Sequence, residues 1–247
     1  MTDATIDLSI AELTADYPGF QVAVALIRGL QDAGAAGIET FVADAEAQGR
    51  ARVSGTAPAD LPEILDWRAA YRQFGSKKTS YRNACEALLR RLAQHGTLPR
   101  VLPLVDLYNA LSVKYLIPAG ADDLAHLAPP LAFRFARDGD SFLDLARDPP
   151  ADDPPAPGEV VYADAEKCLC RRWNWRQDAR SRVRPETRDA VVVLQTLAPD
   201  SARRLTRAAE DLAHQCADHL GARCAWAIAS HEQPQVSLSL TSTHLHK

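Results

Sequence analysis

The chain has 247 residues, 47% of them hydrophobic, with a net charge of −4 and five scattered cysteines. This length and hydrophobic content fit one α/β domain with its own core. No apolar run approaches the roughly 18 residues of a membrane span, the start is acidic where a signal peptide is basic, and an odd cysteine count is unlike a secreted disulfide scaffold. We therefore predict a single cytosolic domain over residues 1–247.

Positive charge is concentrated in two segments of this acidic chain. Residues 72–100 contain seven Lys and Arg against one Glu, and residues 167–188 contain eight against two acidic residues, so each segment has a net charge of +6. Clustering of this kind is the footprint expected for a polyanion ligand such as a nucleic acid. The alternative is that both segments are merely solvated faces.

The first third of the chain is predicted to hold one buried strand followed by helices. The apolar run 20–27 is short and bounded by glycines, which favours a buried strand, whereas residues 6–16 resemble a short amphipathic turn. Apolar residues then recur with helical spacing. The predicted helices span residues 37–50, 58–74 and 81–94.

The turn at residues 74–81 is a candidate phosphate contact. It carries Lys77 and Lys78 just before a predicted helix, and the free backbone N–H groups of a helix N-terminus bind anions. Ordinary capping by the hydroxyls of the turn is the alternative. The helix that follows leaves Arg82 and Arg90 on its solvent side, within reach of backbone phosphates.

Residues 104–117 are predicted to form a mostly buried helix that stops before Pro118. Asp106, Asn109 and Ser112 recur at a spacing of three and place one polar stripe across its apolar surface. An unpaired buried polar group costs roughly 1–3 kcal/mol. The stripe therefore either bonds to nearby backbone, with Asp106 as an N-cap, or faces a ligand.

The second half of the chain is predicted to be rich in strands. Residues 120–124 are predicted to form a turn in which two adjacent carboxylates, Asp122 and Asp123, diverge rather than share acid and base roles. The proline-rich segment 148–158 is predicted to be an extended surface loop. The remaining predictions are strands at 131–136, 159–162, 167–173 and 189–196, a helix at 201–220, and a terminal hairpin of 225–230 with 235–241.

Residues 171–176, Arg-Arg-Trp-Asn-Trp-Arg, form the densest cluster of functional side chains. Trp and Arg stack on bases, Arg forks to phosphate, and Asn addresses a base or an amino group. A structural aromatic pair is the alternative, with Trp173 and Trp175 on one face of a strand. The preceding Cys168-Leu-Cys170 is spaced more closely than the usual zinc pair, so no metal is predicted.

The run Leu104-Val-Asp-Leu-Tyr-Asn-Ala-Leu-Ser112, followed by Ile117-Pro-Ala-Gly-Ala-Asp-Asp-Leu124, resembles the B3/B4 domain family. Residues 157–162, 170–176 and 184–187 resemble its free-standing members in particular. The family includes the tRNA-binding and editing module of the phenylalanyl-tRNA synthetase beta subunit. The resemblance implies an α+β (mixed α/β) fold, a single B3/B4-type domain with a mixed sheet packed with several helices.

The resemblance also implies a reaction, the hydrolysis in trans of the ester that joins a wrong amino acid to tRNA, without a cofactor. The neighbouring ribose hydroxyl activates this ester, so positioning the amino acid and a water is sufficient. The sequence departs from the synthetase pattern, which has a histidine at the position of Gly120. Two alternatives stay open: a non-catalytic tRNA- or RNA-binding protein, and a small-molecule binder or hydrolase that kept the amino-acid pocket.

The resemblance and the basic segments together give the candidate site residues. The candidate catalytic residues are Asp106 and Asn109. The candidate substrate-binding residues are Tyr108, Ser112, Gly120, Trp173, Asn174, Trp175 and Arg176. The candidate tRNA-binding residues are Lys77, Lys78, Arg82, Arg90, Arg171 and Arg172. The expected partner is mischarged aminoacyl-tRNA, and the expected state is a monomer.

Overall fold

The computed structural model describes residues 5–31, 35–198 and 201–240. Its helices are α1 (Ala35–Val53), α2 (Pro62–Gln73), α3 (Ala84–His95), α4 (Pro103–Tyr115) and α5 (Ala202–Leu220). Its strands are β1 (Ile6–Ser9), β2 (Gln21–Arg28), β3 (Ala119–Asp123), β4 (Leu131–Phe135), β5 (Leu143–Asp144), β6 (Ala151–Asp152), β7 (Val160–Ala163), β8 (Cys168–Arg171), β9 (Arg176–Gln177), β10 (Asp189–Thr196), β11 (Arg223–Ala229) and β12 (Gln235–Leu238). Within the described ranges, no helix combines the length and apolar character that a membrane crossing requires.

The strands form two main sheets. Six strands follow the order β12-β1-β4-β7-β8-β9, in which β1 and β4 run parallel and the other neighbours antiparallel. Four antiparallel strands follow the order β11-β2-β10-β3, and β5 and β6 form a separate pair. Mainly antiparallel sheets with helices packed to one side make an α+β fold, which confirms the predicted class.

The strand β2 shows how the layers are stacked. Ala23 and Ala25 belong to a core shared with the helices, whereas Val22 and Val24 belong to a core shared with the six-stranded sheet. Because side chains alternate along a strand, an unbroken apolar run such as β2 buries both of its faces. The four-stranded sheet is therefore the middle layer, between the helices and the six-stranded sheet.

The central helix α4 forms as predicted. Pro103 occupies its first turn, where a missing N–H group leaves no hydrogen bond unmade. Leu116 has a φ of 53° and donates its N–H to the carbonyl of Ser112, which ends the helix two residues before Pro118. The helix packs against α1, α3, α5 and β3, so its carboxyl end leads directly into the middle sheet.

Three local predictions are wrong because long-range pairing overrides local signals. Residues 6–9 form β1 rather than a turn, since they pair with both β12 and β4. Residues 119–123 form β3 rather than a turn, since β10 pairs along them. The predicted terminal hairpin does not form, because β11 pairs with β2 in the middle sheet and β12 with β1 in the other. Residue 241 lies outside the described residues.

Candidate functional site between the edges of the two sheets

The edge strand β3 presents two neighbouring residues to the space between the sheets. Ala121 belongs to the helical core, so Gly120 and Asp122, on the opposite face of the strand, point toward the six-stranded sheet. A Cβ atom added at Gly120 would meet no other atom within 4 Å. This face of β3 therefore combines open space with a carboxylate.

Asp122 is buried, with 3% of its surface exposed. Its Oδ1 accepts hydrogen bonds from the Ser181 hydroxyl at 2.6 Å and the Gln177 amide at 3.1 Å, and its Oδ2 has no hydrogen-bond partner in the described part of the chain. Burial raises the pKa of Asp122 to about 7, against the two hydrogen bonds, which lower it. The group thus changes charge near neutral pH, a property that clusters at functional sites.

Three side chains of the six-stranded sheet form a row that leads to Asp122. Tyr162 on β7 pairs with Cys170 on β8, which pairs with Gln177 on β9, and directly opposed residues of antiparallel strands project from the same face. The Gln177 amide then crosses to the carbonyl of Ala121 at 2.5 Å and to Asp122. The Tyr162 hydroxyl is buried and lacks a hydrogen-bond partner among the described residues.

The predicted polar stripe of α4 divides into bonded and free side chains. Asp106 accepts the N–H of Val101 at 2.8 Å and so bonds to nearby backbone, but it lies inside the helix, and the predicted N-cap role is wrong because Leu102 is the N-cap. The buried hydroxyl of Ser112 donates to the carbonyl of Ile117 at 2.6 Å. Asn109 is half-buried, and its amide has no hydrogen-bond partner in the described ranges. Of the three, Asn109 is the side chain left available to a ligand.

Tyr108 links this face of α4 to the space beside β3. It is half-buried, and its pKa is raised by burial and, to a smaller extent, by the nearby charges of Asp122 and Asp106. The charge of Asp122 thus acts on Tyr108, which itself packs against the helical core.

The segment 171–176 turns sharply where a continuous strand was predicted. Arg172 and Trp173 both have left-handed backbones, with φ of 44° and 66°, so Trp173 and Trp175 do not share a strand face. Trp173 is fully buried, within a cluster of rings. Its edge-to-face partners are Tyr17, Phe20 and Trp67.

Asn174 is also a core residue. Its Oδ1 accepts the hydroxyl of Tyr71 at 2.8 Å, and its Nδ2 donates to Gln195 at 3.1 Å. Both polar groups of the amide are thus bonded inside the protein, and only 5% of the residue is exposed. Ring packing occupies Trp173 and internal hydrogen bonds occupy Asn174, so neither the ring nor the amide is free for a ligand base.

Trp175 belongs instead to a partly exposed stack of rings and guanidinium groups. The Arg172 guanidinium lies 3.9 Å from the ring centre of Tyr81 and 4.5 Å from that of Trp175, and the Arg176 guanidinium lies 4.7 Å from Trp175. We call Tyr81, Arg172, Trp175 and Arg176 the cation–aromatic ladder. Rings and guanidinium planes arranged in this way stack on nucleic-acid bases.

The ladder adjoins the Asp122 site through β9. Arg176 is the last member of the ladder, and the next residue, Gln177, donates to Asp122. Consecutive residues of a strand project from opposite faces, so the side chains of Arg176 and Gln177 lie on the two sides of β9.

The lysines of the predicted phosphate turn are exposed. Lys78 lies 5.8 Å from the ring centre of Tyr81 and so extends the ladder, and Lys77 is next to it. The helix α3 begins only at Ala84, where Asn83 caps it by accepting the N–H of Glu86 at 2.9 Å. The turn thus contributes charge beside the ladder rather than a helix N-terminus.

The arginines predicted to bind tRNA are largely ion-paired. Arg82 and Arg90 lie 3.9 and 2.7 Å from the fully buried carboxylate of Glu86. Arg171 lies 2.9 Å from Glu159, and 5% of its side chain is exposed. These arginines are therefore tied to the fold, although one Glu86 carboxylate shared by Arg82 and Arg90 leaves net positive charge there.

Sequence reasoning missed Asp122 and Gln177 as members of the site. The signal was present in the adjacent pair Asp122 and Asp123, because a strand would turn the two carboxylates to opposite layers. It was read as a turn, since glycine and aspartate both favour turns. The contribution of Gln177 depends on a contact across 55 positions, which no local pattern reveals.

The described ranges hold no group of three or more His, Cys, Asp and Glu side chains that could bind a metal ion. Cys168 and Cys170 are free thiols, and burial raises the pKa of both, to about 12 for Cys168. Neither thiol is thereby activated as a thiolate at neutral pH.

Comparisons with known proteins identify the family of the chain and support its fold. The family model of the B3/4 domain matches residues 66–217. An N-terminal fragment of the phenylalanyl-tRNA synthetase beta subunit from Pyrococcus horikoshii has a similar fold, with a TM-score of 0.50 and 10% identity over 91% of this chain. The chain spans about half of that structure, 51% of its length. The comparison with curated proteins gives no match.

Proposed function

The chain belongs to the B3/4 domain family, and from this we propose that it binds the acceptor end of tRNA and hydrolyses the ester of a wrong amino acid. The observation that carries the proposal is the cation–aromatic ladder, which is connected along the chain to the Asp122 site through Arg176 and Gln177 of β9. In this proposal a base stacks on Trp175 and the aminoacyl group lies beside β3, where the Cβ position of Gly120 is open.

In this proposal the ladder binds the terminal adenosine and its phosphates. Trp175 and Tyr81 supply ring faces, while Arg172 and Arg176 supply positive charge. Their nearest carboxylate oxygens lie 3.8 and 3.6 Å away, so these ion pairs are loose and compensate the charge only in part. Lys77 and Lys78 are exposed beside this stack and add attraction for the backbone.

The ester cleavage relies on positioning. The free amide of Asn109 orders the attacking water, and Tyr108 borders the aminoacyl group from the α4 side. Asp106 holds the backbone ahead of α4 through Val101 and so supports this helix face rather than the water itself. The ester is already activated by the adjacent ribose hydroxyl, so orientation supplies the rate enhancement without a strong base.

The test is deacylation of a panel of mischarged tRNAs by the native chain, Trp175→Ala and Trp175→Phe. We expect hydrolysis of at least one mischarged tRNA, weakened tRNA binding in Trp175→Ala, and recovery in Trp175→Phe, because a phenyl ring also stacks on a base. Equal binding by the alanine variant would exclude the ladder as the acceptor-end site.

A small-molecule binder or hydrolase is the second candidate, favoured by the burial of Asp122 beside the open Cβ position of Gly120. Short aminoacyl esters that lack tRNA distinguish the two functions. Hydrolysis of such esters at the rate of the matching aminoacyl-tRNA would favour the small-molecule reading, because tRNA contacts would then contribute nothing to the reaction.

A further inference from the structure

We propose that Asp122, with the hydroxyl of Tyr162, forms a binding site for the ammonium group of an amine-bearing ligand. The inference deepens the proposed function, on which it rests for the ligand being an aminoacyl group. The ammonium is either the α-amino group or a side-chain amine, and the chemistry of recognition is the same for both.

The first argument is that Asp122 lacks the cation that most buried carboxylates in this protein have. Of the nine buried acidic side chains among the described residues, six have an Arg or Lys nitrogen within 4 Å. Asp106 and Asp123 lack one but accept backbone N–H groups. Asp122 receives only neutral side-chain donors, both at Oδ1. A buried carboxylate with a free oxygen and no cation is suited to a cationic partner from outside.

The second argument is the unpartnered hydroxyl of Tyr162. The residue is 2% exposed, and its hydroxyl oxygen finds no hydrogen bond among the described residues. Tyr162 lies in the same row of side chains as Gln177, which bonds to Asp122. It is one of eight buried side-chain polar atoms without a partner among the described residues, and a ligand donor is one way to satisfy it.

The third argument is space. Gly120 and Asp122 lie on the same face of β3, and the position of a Cβ at Gly120 is empty to 4 Å. An ammonium group carries three donors, which is enough for both the free Asp122 oxygen and the Tyr162 oxygen. A metal ion is disfavoured, because one carboxylate and neutral groups are a poor ligand set for Ca²⁺ or Mg²⁺.

The groups that surround Asp122 leave its charge uncompensated. Tyr108 approaches from α4, Tyr162 from β7 and Cys170 from β8, and all three are neutral at physiological pH because burial raises their pKa values. Two charged residues that act on Asp122 already have partners, Asp178 with Arg180 at 2.7 Å and Lys167 with Asp164 at 2.7 Å. Arg182 forms an isolated backbone bridge with Asp122, and its side chain is exposed.

The test is calorimetric titration of the full chain at pH 8 with three probes. L-leucinamide carries only an α-amine, N-acetyl-L-lysinamide only a side-chain amine, and N-acetyl-L-leucinamide no amine. We expect one of the first two probes to bind and the third to give no heat. Binding of L-leucinamide assigns the site to the α-amino group, and binding of N-acetyl-L-lysinamide assigns it to a side-chain amine.

Four variants complete the test. Asp122→Asn keeps the shape and removes the charge, and we expect it to weaken the binding probe at least about tenfold. Tyr162→Phe should weaken it by a smaller factor, and Gly120→Val should block it by filling the open space. Asp44→Asn, at an exposed position, is the matched control and should bind as the native chain does. Circular dichroism confirms folding of each variant.

Two results would overturn the inference. Either no amine probe binds the native chain, or Asp122→Asn and Gly120→Val both bind the amine probe as tightly as the native chain does. Failure of the proposed function can be distinguished from failure of the ammonium site. Amine binding through Asp122 without deacylation of any mischarged tRNA removes the function and keeps the site. Deacylation that is unaltered in Asp122→Asn keeps the function and removes the site.

Discussion

Replacing Asp122 by Asn should stabilise the fold above neutral pH. The pKa of Asp122 rises from 3.8 to about 7 on folding, chiefly through burial. Between these values the unfolded chain has released the proton and the folded chain still holds it. The free energy of unfolding of the native chain therefore falls as pH rises from about 4 to 7, at about 1.4 kcal/mol per pH unit.

The expected gap follows from the size of the shift. About three pH units correspond to about 4 kcal/mol. Relative to the native chain, the free energy of unfolding of Asp122→Asn should therefore rise by up to about 4 kcal/mol between pH 4 and pH 7, and this difference should stay constant above pH 7. Urea denaturation of both proteins at intervals from pH 4 to pH 8.5 measures this gap. A gap that does not change with pH would refute the assignment of a buried, unpaired carboxylate.

Asp164→Asn is a control of opposite sign. Burial acts to raise the pKa of Asp164, but hydrogen bonds from Lys167 and from backbone N–H groups outweigh it and lower the pKa below 3.8. Its ionised form therefore stabilises the fold above the unfolded pKa, and this stability is lost as pH falls. Asp164→Asn should be less stable than the native chain at pH 7, with the difference shrinking toward pH 3.

Other variants separate binding, catalysis and stability. Asn109→Ala should keep its melting temperature within about 2 °C, because no protein partner loses a bond, yet lower deacylation by about a hundredfold; an unstable but active variant would contradict this. Arg172→Ala should weaken tRNA binding and reduce the log–log salt slope by about 0.7 to 0.9, and an unchanged slope would remove Arg172 from phosphate binding. Glu86→Gln should destabilise the fold by about 2 kcal/mol, because Arg68 at 2.5 Å and Arg90 at 2.7 Å lose their charged buried partner. Chemical denaturation measures this loss, and equal stability of the two proteins would contradict it.

Local signals predicted the elements whose causes are local. The helix α4 is bounded by prolines, and β10 is an apolar run whose predicted ends, Asp189 and Thr196, match the structure. The helix α5 ends where Gly221 adopts a left-handed backbone, as predicted. Such features depend on backbone chemistry within a few residues and therefore survive in a single sequence.

The candidate site was less predictable because its parts come from distant positions. Gly120 has no propensity for a strand, and β3 forms through pairing with β10, about seventy positions away along the chain. Trp173 and Trp175 follow the alternation of a strand, and the left-handed turn at Arg172 separates them. The charge state of Asp122 depends on burial between two sheets, a property of the assembled layers rather than of the sequence around it.

The placement of β2 has a consequence for amide hydrogen exchange. The strand hydrogen-bonds to β10 on one side and β11 on the other, and both of its faces are buried, with Val24 and Leu26 fully inaccessible to solvent. Its amide protons have no route to water through local fraying, so they should exchange only when the whole fold opens. The protection measured at Val24 would then report the global free energy of unfolding, against which local opening around β3 can be compared.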